Sequence, residues 1–487
     1  MKFNFVGQTY VSESVNVDAQ RTVNLYPEFV ESGTGKAKVV LYGTPGLTTP
    51  AFATMPQSPI RGMFANDSRL FVAAGTGLYE VFTGGNFQLL GSIANDAANS
   101  PVQMWPNGVG TQLFVVSAGY AYVYDGTSPS YAPVPFAPVP ADPAINPIYP
   151  GGQINTARTG TFLDGYFIAA KYESKTFFVS DINTGTVWSA LDVASKEGYP
   201  DHINSILSYQ RELWLFGDQT TEVWINDGNA DFPFRRQPGA FIHEGCVATF
   251  SPIGLGTNVG WLGGDAIGRS TAWIAQGYQP QRVSTHAVEQ AWAGYATVVD
   301  AISWSYTDRG HIFWVLTFPT AAATWVYDLV TKMWHERTSL TSSTVGQYRA
   351  RCNAYVFGKQ LVGAYDSGKI YNLLATTYTD DGQPIRRIRT APHIAEEQMR
   401  AFYHRLQLDL EVGLTSGATV SLDWSDDGGH TFNTPISKSL GSSGSYKQRV
   451  IWNRLGSSRD RVFRVTTEAQ QRVALIDAYL QVTGGKA

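Results

Sequence analysis

An all-β chain, a β-propeller followed by an antiparallel β-sandwich, is what this sequence predicts, and three observations predict it. A strand-turn-strand unit recurs between residues 69 and 373. After about residue 400 the pattern changes to strict alternation of apolar and polar residues. The composition fits many short strands and tight turns: the chain has 48 Gly and 13 Trp, with only 16% charged residues against the roughly 25% of an average soluble domain.

In chain order, residues 1–55 hold no copy of the repeat. "SESVNVDAQRTVNLYPEFVESGTGKAKVVLYGTPGL" reads as extended chain with turns at Gly33 to Gly35 and Gly43 to Gly46. This region is expected to complete the propeller or to reach the sandwich.

The repeat is an apolar strand, a short turn often carrying Gly or Asp, and a second strand with an aromatic. It is clear in "RLFVAAGTGLYEVF" (69–82), "QLFVVSAGYAYVY" (112–124), "GYFIAAKYESKTFFVS" (165–180) and "ELWLFGDQTTEVWI" (212–225). It is weaker in "VGWLGGDAIGRSTAWI" (259–274), "HIFWVLTFPTAAATWVY" (311–327) and "QLVGAYDSGKIYNL" (360–373). The anchors Phe71, Phe114, Phe167, Trp214, Trp261, Phe313 and Leu361 are spaced by 43, 53, 47, 47, 52 and 48 residues. A four-stranded blade takes roughly 40 to 50 residues. Residues 56–390 therefore read as a propeller of seven blades, or of six if the first or last copy belongs elsewhere; a stack of unrelated hairpins is the competing reading.

The long second spacing comes from "SPSYAPVPFAPVPADPAINPIYP" (128–150), which inserts eight prolines. Such a stretch favours polyproline II and cannot form central strands. It reads as a surface linker or as a strap meeting a neighbour, with Pro133 and Pro138 as candidate contacts.

Residues 391–487 read as the sandwich. In "RLQLDLEV" (405–412) Leu406, Leu408, Leu410 and Val412 share one face, and "TVSLDW" (419–424) alternates likewise. "ALIDAYLQV" (474–482) is expected to turn Ile476, Ala478, Leu480 and Val482 inward. With "KQRVIW" (447–452) and "DRVFRV" (460–465) this makes at least five antiparallel strands. No amphipathic helix longer than about three turns is expected.

Two cysteines, Cys246 and Cys352, are too few for a disulfide framework or a Cys-rich metal site, and free buried thiols are expected. No signal-peptide pattern and no apolar run of about 18 residues occurs, so the chain is expected to be made in the cytoplasm without a membrane span. The net charge of −4 is uneven: 22 Lys+Arg against 30 Asp+Glu in residues 1–383, then 14 against 10 in residues 384–487. Neither segment has the basic excess of a protein that grips phosphate tightly.

Catalytic motifs are sparse. "SDDGGHTF", with Ser425, Asp427, Gly429, Thr431 and Phe432, fits the Asp box of sialidases and other propeller glycosidases. There the motif is a structural hairpin turn, and it is read so here; "DINTGTVW" (181–188) is a degenerate second copy. A glycosidase would also need facing carboxylates. Asp426 with Asp427, and Asp380 with Asp381, read instead as solvated turn tips. "FIHEGC" (241–246) groups His, Glu and Cys but reads as a turn before it reads as a metal site. "GLGTNVGWLGG" (254–264) lacks the Lys-Ser/Thr and helix of a phosphate loop. Arg386, Arg387 and Arg389 in "PIRRIRTAP" are candidate contacts to phosphate, to a subunit or partner, or between domains. No catalytic, cofactor-binding or metal-ligating residue is assigned.

Longer stretches carry a resemblance. Residues 177–248, "GYQPQRVSTHAVE" (277–289), "AQRTVNLYPE" (19–28), "LYGTPGL" (41–47) and the "DWSDDGGHTF" hairpin resemble the packaged-DNA stabilisation proteins, or tail hub or nozzle proteins, of short-tailed bacteriophages. The resemblance covers nearly the whole chain except the Pro-rich insertion. It implies a virion structural protein without catalysis or cofactor, located in the tail. It further implies a hexameric ring below the portal and the head-tail adaptor, which extends the ejection channel and helps retain the genome. Tail spikes or fibres and a tail needle or plug are the implied partners, with DNA passing through without tight binding. A propeller glycosidase, or an adhesin binding host carbohydrate, is the alternative.

Overall fold

The structure is a computed structural model that describes residues 2–485 except 33, 49–51, 127–136, 139–156, 265–269, 342–343 and 396–398. The repeat of the sequence is the middle hairpin of a four-stranded antiparallel blade. Six blades are contiguous in the chain, beginning at Ile60, Gln103, Ala157, Ile203, Ile253 and Ile302. The seven anchors all lie on the second strand of a blade, and none is more than 3% exposed. These strands are short apolar runs, not alternating ones, because each blade packs both faces against its neighbours. The sequence also marks their turns. Two-residue loops such as Asp164–Gly165 and Arg309–Gly310 have positive φ at both residues (49° and 97°; 49° and 86°), the geometry whose twist matches paired strands.

The seventh blade is completed from the other end of the chain. Ala350–Val356, Lys359–Ala364 and Ile370–Leu374 supply three strands, and Gly46–Leu47 supplies the fourth, pairing Leu47 with Leu373. The ring closes where Ala350–Val356 meets the first innermost strand, Ile60–Asn66. Leu47 is fully buried, and a Cβ on Gly46 would stand 2.5 Å from the Thr379 carbonyl oxygen, so only glycine fits there. Asp380 corrects the sequence reading of a solvated tip. It is 1% exposed, and its carboxylate accepts from Leu47 N (3.3 Å) and Ser339 Oγ (2.9 Å), locking the closing strand.

In the insertion, Ala137–Pro138 forms the outer strand of the second blade, against Tyr122 and Val123. An edge position tolerates proline because no neighbour needs its missing N–H. Pro133 lies outside the described residues. The one helix among the described residues, His286–Ala293, spans about two turns; the Thr285 side chain caps it, accepting from Val288 N at 3.3 Å. The helix buries Trp292 against Trp325 and Trp334.

The sandwich draws strands from both ends of the chain. One sheet runs Leu25–Phe29, Val39–Gly43, Ala474–Gly484, Ala401–Leu410, Val450–Asn453. The other runs Ala19–Val23, Arg387–Thr390, Asp460–Thr467, Thr419–Ser425, Ile436–Ser439. Leu406, Leu408, Leu410 and Val412 all enter the core between them. The last strand departs from the alternation read in the sequence. A register shift places Asp477 opposite Asp409 but Leu475 opposite Leu410. Leu475 is therefore buried, and Ile476 packs instead in a small satellite cluster with Ala37 and Val40.

Candidate functional site

Three places carry the polar chemistry that the sequence singled out. The first is the joint between the domains. Ala19–Val23 pairs antiparallel with Arg387–Thr390 of the sandwich, while Val23 pairs in parallel with Glu336 on the outer strand of the sixth blade. One N-terminal strand therefore joins the two domains into a continuous sheet. Arg389, fully buried, fastens it. Its Nε donates to Phe5 O (2.6 Å), its Nη1 to Gln8 O (3.1 Å) and Thr22 Oγ1 (2.9 Å), and its Nη2 to Gln20 Oε1.

With no carboxylate among these acceptors, burial pushes the Arg389 guanidinium down to about 9. Arg387 is 1% exposed and donates to Ala469 O at 3.1 Å. Both arginines are thus held inside their own chain, which corrects their reading as contacts to phosphate or to a partner. Of the three only Arg386, paired with Glu468, reaches the surface.

The second place is the Asp box. Asp427 Oδ1 accepts from Ser425 Oγ (2.6 Å) and Thr431 N (2.9 Å), and Oδ2 accepts from Thr431 Oγ1 (2.6 Å). Ser425 Oγ also accepts from Gly429 N at 2.8 Å. These bonds, that from Ser425 foremost, hold the Asp427 carboxyl well below the usual range. The motif spends its polar groups on its own turn, and Phe432 packs under the Arg464 guanidinium, 3.8 Å from the ring centroid. Asp426 is not a free tip either: Arg461, 1% exposed, holds it through Nε (2.6 Å) and Nη2 (2.7 Å). That guanidinium also lies over Tyr403, 4.3 Å from its centroid. Nothing in the local sequence around Arg461 announces this pairing, whose partner is 35 residues away.

The third place is "FIHEGC". Cys246 is fully buried, its thiol pushed up to about 11 by burial, and Sγ donates to Ala248 O. His243 packs on Phe241. Among the described residues no group of three or more His, Cys, Asp or Glu side chains is arranged to hold a metal ion. Both cysteines are free.

Comparison with known proteins follows the same division into two domains. Solved structures with a similar course of chain include the N-terminal domain of Nup159 (11% identity, 72% of this chain and 98% of that one, TM-score 0.38). Others are PorZ, a surface component of the type-IX secretion system of Porphyromonas gingivalis (9%, 75% and 44%, 0.36), and an exo-β-1,3-galactanase from Phanerochaete chrysosporium (12%, 90% and 100%, 0.29). At these scores they carry no argument about function. No curated protein sequence matches the chain. Two family models do: bacteriophage P22 Gp10, β-propeller, over residues 4–378, and bacteriophage P22 Gp10, β-sandwich, over residues 386–483. With both of its domains matched in order, the chain belongs to the bacteriophage P22 Gp10 family of phage tail structural proteins.

Proposed function

We propose that the protein is the hub, or nozzle, of a short phage tail: a non-catalytic ring of six copies below the portal and head-tail adaptor. The ring extends the ejection channel, stabilises the packaged DNA and carries the other tail components. The observation that carries this reading is the family match over both propeller and sandwich, 4–378 and 386–483. The welded joint supports it, since a subunit that bears load along a tail benefits from domains joined by a shared sheet as well as by a linker. The Asp box supports the non-catalytic part, because its carboxylate is consumed by its own turn.

Electron microscopy of the purified protein, alone and mixed with the adaptor ring, tests the proposal. Rings should form on the adaptor. A protein that stays monomeric with the adaptor, yet turns over host polysaccharide, would establish the glycosidase alternative instead.

A further inference from the structure

The seven innermost strands of the propeller surround an axial space whose mouth is a cavity of about 620 Å³. Its wall is assembled from connectors far apart in sequence: Asp96 between the first two blades, Phe250 between the fourth and fifth, and Asp300 before the sixth. Two arginines near the start of innermost strands face into it, Arg158 in the third blade and Arg351 in the seventh.

The polar groups of this mouth are incompletely used by the chain. Arg351 is only 7% exposed; its Nη2 donates to the Asn99 carbonyl, and its buried Nε has no partner. Among the described residues Arg158 donates to Thr249 Oγ1 alone, at 3.4 Å from Nε and 3.2 Å from Nη2, and lies over the Tyr172 ring at 5.4 Å. Among the described residues neither arginine is in an ion pair. The carboxylates of the same cavity are turned to their own loops. Asp96 Oδ1 accepts from Ser100 N and Asp300 Oδ2 from Thr320 N, each at 2.8 Å, while Asp300 Oδ1 is buried with no donor. Two guanidinium groups that line one cavity with no carboxylate paired to them among the described residues suit it to an anionic group, since charge-assisted bonds to carboxylate are stronger than those to the neutral oxygens they now hold.

We propose that this mouth binds an acidic peptide segment of a partner protein. A carboxylate meets Arg158 and Arg351, and a neighbouring apolar side chain covers Phe250, Pro319 and Val299, the last 60% exposed. The apolar wall favours a peptide over a sugar acid. Asp96 and Asp300 disfavour a polyanion such as DNA, which would bring further phosphates against them. The proposal holds whether or not the protein closes into a ring.

The test uses the full chain and two fluorescent pentapeptide libraries, one with a central Asp or Glu and the other with Asn or Gln. The acidic library should be retained and the amide library released. Arg158→Gln and Arg351→Gln should each weaken retention by about tenfold or more, the loss expected for one charge-assisted contact. Arg158 is half-buried and among the described residues donates to Thr249 alone, so its variant keeps the test decisive should Arg351→Gln fail to fold, as a thermal melt reports. Equal retention of both libraries, retention unaffected by Arg158→Gln, or easier displacement by glucuronate or short duplex DNA than by free acidic peptide would each overturn the proposal.

Discussion

His335 is the residue whose placement has the plainest thermodynamic consequence. It is fully buried on the outer strand of the sixth blade, near Tyr26 and edge-on to Phe313, and neither ring nitrogen has a partner. Burial, reinforced by the Arg337 charge, pushes it down to about 3. The unfolded chain therefore takes up this proton first as pH falls. Stability is complete above about pH 6.5 and is lost progressively below it, by about 2 kcal/mol between pH 6.5 and 5 from this site alone. His335→Phe should leave stability at neutral pH unchanged or higher and flatten the acid loss, which denaturant unfolding at the two pH values measures. His311 has the opposite sign. Its hydrogen bond to Asp328 raises its pKa, so its contribution is complete at low pH and is lost as pH rises. Asp427 is the converse case of a polar residue with every bond local. Asp427→Ala should lower the melting temperature of the sandwich without changing any affinity for sugars; unchanged melting with lost sugar binding would reverse the reading of the motif. This turn was legible in the sequence because its partners lie only two and four residues apart.

At the scale of elements, what could be read in the sequence was local and what could not was closure. The second strands of the blades announced themselves as apolar runs at nearly even spacing. Gly46–Leu47 did not, since two residues hold no pattern and their partner lies 326 residues along the chain. On Ala474–Gly484 the alternation placed Ala478, Leu480 and Val482 correctly in the core and misplaced Ile476, because a single inserted residue exchanges the two faces of a strand. The mouth cavity was invisible for a related reason: its residues run from Asp96 to Arg351 through separate connectors, so no motif spans them. The closing strand gives its own prediction. Leu47→Ala removes a fully buried side chain from the seventh blade and should cost about 2 to 5 kcal/mol. Gly46→Val should be worse, since its side chain would meet the Thr377 and Thr379 backbone. Chemical denaturation measures both; loss of less than about 1 kcal/mol for either would mean that the ring does not depend on this strand.

For the whole molecule the question is whether the basic C-terminal part is a surface for DNA. Residues 384–487 hold 14 Lys+Arg against 10 Asp+Glu, and that excess would attract phosphate if it were exposed and unpaired. Much of it is neither. Arg387 and Arg389 are buried in the joint, Arg461 is held by Asp426, Arg464 by Asp423, Arg472 by Glu411 and Arg386 by Glu468. The preceding 383 residues carry eight more acidic than basic groups. On the proposed reading of the protein as a conduit, this distribution would let DNA pass without the salt-dependent drag that each unpaired Lys or Arg would add, and retention of the genome would rest on physical closure. Short duplex DNA titrated against the protein at about 0.15 M salt should therefore bind no tighter than roughly 10⁻⁶ M, the limit of ordinary non-specific association. Tighter binding that weakens when Arg449, Arg454 and Arg459 are replaced would show that the protein holds DNA by direct grip.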